Sequence, residues 1–234
     1  MIQTEYSRTA GVALTVFVLF YALIQPVTAD VVGGSDIWTG AYESQFENWL
    51  GEGQLRLTNI YAKASGDTAA DFHAAADEQG RTVTVMELIN TSGSLIVGGY
   101  NPQSWHSRGS YNFTHNAVDQ DGFLFNLTYG DLYEQNERWQ TYNHIDDGPT
   151  WGGGHDLTLF SDLNGGYANI GHTYGDRGRF GDDSYREQFA GSFNSWTVGH
   201  LEVFRISNVP EPGGAIVLGA MMSCLAMRRR RKQG

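Results

Sequence analysis

Two apolar runs, Ala10 to Ile24 and Gly213 to Met227, stand at the ends of this 234-residue chain and set what the rest can be. Each is 15 residues, about 22 Å as a helix at roughly 1.5 Å per residue, which is short for a hydrocarbon core about 30 Å thick. Between them lie 179 residues, Asp30 to Asn208, enough for one domain with a single core and short for two. The sole cysteine, Cys224, sits inside the second run, so the domain forms no disulfide and offers no thiolate. Packing must hold it together, and Trp38, Trp49, Trp105, Trp139, Trp151 and Trp196 all fall in this part. Thirty glycines against five prolines imply many turns and bulges, a β-rich composition rather than a helical one.

The end segments read as addresses. Arg8 precedes the first run, Pro26 breaks it, and Val27-Thr28-Ala29 supplies the small residues of a signal-peptidase site, so cleavage is expected between Ala29 and Asp30. An uncleaved anchor is the other reading of this run. At the far end Pro210-Glu211-Pro212 precedes the apolar run, and Arg228, Arg229, Arg230, Arg231 and Lys232 follow it. Cations there stay on the cytoplasmic side and leave the domain on the other. This three-part tail resembles the PEP-CTERM sorting signal of Gram-negative bacteria, which implies an exosortase as processing enzyme, a transient membrane anchor at 213–227, and delivery to the envelope or the extracellular matrix.

Within Asp30 to Asn208 there are nine Lys and Arg against 24 Asp and Glu, a net charge near −15. Nucleic acid is excluded as a partner, because no basic stripe exists to neutralise phosphates. The excess of carboxylates describes a solvated acidic surface.

Along the chain, residues 30–54 form a lead-in that includes a short helix from Glu43 to Leu50, with Phe46, Trp49 and Leu50 on one side. Gln54 to Ala62 alternates as a strand. Gly66-Asp67-Thr68 starts a second helix with Asp67 as its N-cap and Ala69, Phe72, His73 and Ala76 on one face, and Gly80 stops it. Arg81 to Ile89 and Ser94 to Tyr100 read as a hairpin around Asn90-Thr91-Ser92-Gly93. Gly122 to Tyr129, Asp156 to Phe160 and Val198 to Ile206 are further strands, and the acidic, glycine-rich stretch Asp162 to Asp183 reads as a long loop.

Seven pieces in this order resemble the TLDc domain, found at the C-terminus of eukaryotic oxidation-resistance proteins and of some regulators of the vacuolar proton pump. They are Ile60 to Asp67; Ala70-Asp71-Phe72-His73; Thr82-Val83-Thr84-Val85; Val97-Gly98-Gly99-Tyr100 with Trp105 beyond; Gly122 to Leu127; Trp151 to Leu157; and Gly191-Ser192-Phe193 with Glu202-Val203-Phe204. The resemblance runs over residues 55–207 and implies a mainly β fold, a sandwich of two antiparallel sheets with a few short peripheral helices. The export signals and the acidic stretch depart from the cytosolic members, so a pump-regulating role does not carry over.

The most conspicuous candidate site is Trp151, Gly152, Gly153, Gly154, His155 and Asp156. Three glycines permit a ligand-facing loop with His155 and Asp156 as polar hands, or a strained entry into the next strand where a neighbouring backbone or tryptophan leaves no room for side chains. A phosphate loop is excluded, since no Lys-Ser or Lys-Thr follows. His106, His115, His144, His155, His172 and His200 show no metal-ligand spacing. Asp162, Asn164, Asp176, Asp182 and Asp183 are oxygen donors for calcium without an EF-hand pattern, so neither a metal nor a cofactor is expected. No Gly-x-Ser-x-Gly elbow is present. The leading expectation is therefore a non-enzymatic binding or structural domain. The alternative is an envelope polysaccharide binder or glycoside hydrolase, with tryptophans stacking on sugar and carboxylates such as Glu87, Glu202 or Asp156 paired in a groove.

Overall fold

The computed structural model describes residues 30–209; the signal-peptide, sorting-signal and tail-anchor expectations lie outside them. Twelve strands form two sheets. The first contains seven strands in the order β1-β2-β12-β3-β4-β6-β7, where β1 is Asp30–Val32, β2 Leu55–Ala62, β3 Thr82–Asn90, β4 Gly93–Asn101, β6 Phe123–Asn126, β7 Asp131–Glu134 and β12 Thr197–Asn208. The second contains five in the order β11-β10-β9-β8-β5, where β5 is Arg108–Phe113, β8 Trp139–His144, β9 Thr150–Trp151, β10 Leu157–Leu159 and β11 Gly166–Ala168. Every pairing is antiparallel except β1 with β2, a departure from the all-antiparallel expectation. Three helices are peripheral: α1 Gly40–Leu50, α2 Ala69–Ala76 and α3 Asp183–Ala190.

Side chains alternate across each strand, and the alternation sorts the apolar residues into two clusters. Between the sheets, Met86, Leu88, Val97, Leu124, Leu201 and Val203 of the larger sheet meet Trp151, Leu157, Leu159 and Ala168 of the smaller, with Phe72 of α2 and Phe189 of α3 closing the ends. On the outer face of the seven-stranded sheet, Val83, Val85, Tyr100, Phe123, Phe125 and Phe204 are roofed by Ile37, Trp38 and Phe46. Phe46 lies on α1, which Thr39 caps at its start and Gly51, in the left-handed conformation, caps at its end.

The Val97-Gly98-Gly99-Tyr100 segment shows why two adjacent strand glycines are needed here. A Cβ on Gly98 would sit 2.7 Å from Phe125 on the outer face, and one on Gly99 would sit 2.6 Å from the Trp151 indole in the interior. Each glycine makes room for an aromatic ring on one side of the same strand. Gly99→Ala is expected to overpack this contact and cost about 1–3 kcal/mol, read as a lower urea midpoint of the full chain. An unchanged midpoint would refute the packing role.

Several sequence readings need correction. The N-cap of α2 is Thr68, not Asp67: Asp71 Oδ2 accepts from the Thr68 N–H at 2.8 Å, while Asp67 Oδ2 accepts from the Ala64 N–H at 2.9 Å and the Tyr61 hydroxyl at 3.1 Å. The helix ends at Ala76 with Asp77 as C-cap, before Gly80. The strand expected over Gly122 to Tyr129 stops at Asn126, whose side chain turns to the α3 carbonyls: its Nδ2 donates to Phe189 O at 2.9 Å and its Oδ1 accepts from the Tyr129 N–H. The stretch Asp162 to Asp183 is not simply loop. It contributes β11 and a 3-10 turn at Arg177–Arg179, and α3 begins at Asp183 with Asp182 as its N-cap.

Candidate functional site

Three of the four sheet faces are covered, two by each other and one by α1. The fourth, the outer face of the five-stranded sheet, carries a continuous row of aromatic side chains. Phe113 and Trp139 lie 4.7 Å apart between ring centroids, Trp139 and Tyr111 5.0 Å, and Tyr111 and Tyr142 4.8 Å. The row continues from Tyr142 to His155 at 5.4 Å, to Tyr167 at 6.3 Å and to Phe193 at 5.4 Å. The planes of Tyr142, His155 and Tyr167 stay within 23° of their neighbours along this stretch. A guanidinium closes each end, Arg138 lying 4.6 Å from the Trp139 centroid and Arg186 lying 4.9 Å from Phe193. Phe113, Phe160 and Phe193 are exposed, at 37%, 50% and 38%.

The register explains the row. Tyr111 of β5 pairs with Tyr142 of β8, and a bulge between Asn112 and Phe113 brings Phe113 opposite Trp139 on the same face. Tyr167 pairs with Thr158, whose hydroxyl lies 2.6 Å from that of Thr150 on β9, so small side chains hold the two strands between. His155 fills that gap from the loop joining β9 to β10.

The segment from Trp151 to Asp156 serves this face mainly as its frame. Trp151 and Asp156 are fully buried. Gly152, at φ +84°, has no room for a side chain, because a Cβ would fall on Asp156 Oδ2; one on Gly153 would meet Trp139 at 2.7 Å and one on Gly154 would meet His172 at 2.6 Å. The Asp156 carboxylate, with no cation beside it, accepts backbone N–H bonds from His172 at 2.9 Å, Thr173 at 2.9 Å and Tyr174 at 3.1 Å. Burial raises its pKa to about 7, against the downward pull of those donors. Of the six residues only His155 places a side chain on the aromatic face. It holds a left-handed backbone at φ +51°, and its Nδ1 lies 3.0 Å from the Tyr167 hydroxyl. Burial lowers the His155 pKa, favouring the neutral ring, and raises that of the Tyr167 hydroxyl.

Asp156 is buried within the five-stranded sheet layer, and Glu202, 2% exposed, accepts the Asp36 N–H at 2.7 Å and the Ser35 hydroxyl on the far side of the sandwich. Neither carboxylate lies on the aromatic face, and the third candidate, the half-buried Glu87, belongs to β3 of the other sheet. Four tryptophans are buried, and the two half-buried ones, Trp49 and Trp139, belong to opposite sides of the molecule, so no groove pairs them. The proposed calcium donors are engaged locally: Asp162 accepts from Asn164, Asp176 from Gly178 and Asp182 from Ser184, while Asp183 pairs with Arg186 and Asn164 with Lys63. Among the described residues no group of three or more His, Cys, Asp or Glu is placed to hold a metal ion, and no helix is long and apolar enough to cross a membrane.

Sequence reasoning missed Tyr111, Trp139, Tyr142, Tyr167 and Arg138. Alternation in Ser110 to Phe113 was a usable signal, whereas the bulge beside Trp139 hides the period of β8. No curated protein matches the chain. The family model for the TLDc domain matches residues 44–207, the span that includes both sheets apart from β1 and the last residue of β12, and the chain belongs to the TLDc domain family.

Proposed function

We propose that this chain is an exported, non-enzymatic TLDc protein that binds extracellular polysaccharide through the aromatic face of its five-stranded sheet. The observation that carries this reading is the row from Phe113 to Phe193, exposed at its two ends and half-buried between them: contiguous aromatics on an outer sheet face mark an interaction surface. Sugar rings present apolar C–H faces and a rim of hydroxyls. The ring faces suit the first, and the hydroxyls of Tyr111, Tyr142 and Tyr167, the His155 imidazole and the Arg138 guanidinium suit the second. Arg138 is in no ion pair among the described residues.

In this reading signal peptidase cuts between Ala29 and Asp30, the 213–227 run holds the chain in the inner membrane, and an exosortase acts at the Pro210-Glu211-Pro212 motif before delivery to the envelope or matrix. The acidic body of the domain, near −15, is repelled by anionic headgroups and favours release. Replacing Arg228 to Lys232 with glutamine is expected to leave unprocessed chain in the cytoplasmic membrane fraction. Normal release of that variant would refute the sorting reading. Retardation of the full chain in gels containing envelope polysaccharide tests the binding reading independently.

A further inference from the structure

A second concave site lies on the other side of the sandwich, where the C-terminal end of α1 meets β4, β6 and β7. It is a cleft of about 530 Å³, within the range of small-ligand pockets. Trp49, Tyr100 and Phe123 form its aromatic wall. Phe123 stands 6.4 Å from Trp49 at an interplanar angle of 71° and 5.1 Å from Tyr100 at 40°, so the three rings make a corner rather than a stack. Three carboxylates line the same cleft, Glu52, Asp121 and Glu134, and no lysine, arginine or histidine does.

The charges are not equivalent. Both Glu52 oxygens accept from Arg81 Nη1, at 2.6 and 2.7 Å, which neutralises that carboxylate. Asp121 and Glu134 form no ion pair among the described residues and are exposed, so their charge is directed into the cleft and the solvent above it. Tyr100 and Phe123 are 3% and 6% exposed and back the half-buried Trp49, whose indole supplies the accessible ring of the corner, and two uncompensated carboxylates add charge of the sign that attracts a cation. A neutral apolar ligand would gain from the rings alone; a cation gains from rings and carboxylates together.

We infer that this cleft binds an ammonium group, through cation–π contact with Trp49, which Tyr100 and Phe123 hold in place, and through the charges of Asp121 and Glu134. The group can belong to a small organic amine or to a lysine side chain of a partner protein. The cleft is separate from the aromatic face of the five-stranded sheet, which has guanidinium groups at its ends, and it selects for the opposite charge.

The test uses the purified full chain and three probes: choline, its neutral isostere 3,3-dimethylbutanol, and a lysine-containing peptide compared with its acetyl-lysine form. Calorimetry is expected to show saturable binding of choline or of the unmodified peptide, and at least about ten-fold weaker binding of the neutral counterpart. Choline binding identifies the small-molecule source, and peptide binding without choline binding identifies the side-chain source. The double variant Asp121→Asn/Glu134→Gln, which changes only exposed groups, is expected to weaken the bound probe about ten-fold, and Trp49→Leu about as much. Absence of binding by every ammonium probe overturns the inference, as does equal affinity for charged and neutral partners or full affinity in the Asp121→Asn/Glu134→Gln chain. None of these outcomes depends on polysaccharide retention by the other sheet.

Discussion

Replacing Asp156 with alanine is expected to lower the unfolding free energy by about 3–5 kcal/mol, because it strands the buried N–H groups of His172, Thr173 and Tyr174. Asparagine should cost far less. Oδ1 accepts from all three donors, so asparagine keeps that acceptor and loses only the second bond from Thr173 to Oδ2 at 3.1 Å. The two variants also differ in pH response. Burial raises the folded-state pKa of Asp156 from the ordinary carboxylate value of 3.8 to about 7. Folding therefore takes up a proton between those values: the stabilisation is fully present below about pH 4 and is lost as pH rises through about 7, in total about 4 kcal/mol. The Asp156→Asn chain does not titrate at this position, so it should gain on the wild type as pH is raised from about 5 to 8. Parallel pH profiles of urea stability for the two chains would contradict this account of the buried carboxyl, and a stable Asp156→Ala chain would contradict its role as a tie.

Binding of polysaccharide should collapse when the centre of the aromatic row is removed. Tyr142→Ser with Tyr167→Ser deletes two half-buried rings that flank His155, and a loss of about 1–2 kcal/mol per ring amounts to roughly 100-fold in affinity. Tyr167→Phe keeps the ring and removes the hydroxyl that meets His155 Nδ1, so it should retain most of the stacking and lose only one hydrogen bond. Affinity electrophoresis in envelope polysaccharide measures both, with thermal unfolding as a control for fold. A double variant that stays folded and is retarded like the wild type would exclude this face as the binding surface.

Much of the fold was legible because its signals are local. The β3–β4 hairpin follows from dense β-branched residues around a short polar turn, whereas the aromatic neighbours of Gly98 and Gly99 come from other strands. The second sheet was mostly hidden. Of its strands only β10 was expected, over Asp156 to Phe160, while β9 and β11 have two and three residues, too few for alternation to register. The candidate loop was found, but its chemistry depended on distant chain. Whether Asp156 faces a ligand or the backbone of 172–174 is decided by segments 16 to 18 residues away. The aromatic face needed strand register across five strands, and no sequence period reports that.

β12, the last strand described, lies in the middle of its sheet, hydrogen-bonded to β2 on one side and β3 on the other along much of its length. Until residues 197–208 arrive, β2 and β3 have no common neighbour, and Leu201, Val203, Phe204 and Ile206 are missing from both apolar clusters. The order of synthesis therefore forbids early completion of the sandwich. A ribosome that still holds Thr197–Asn208 keeps the domain unfinished, and the sandwich closes only once those twelve residues are free.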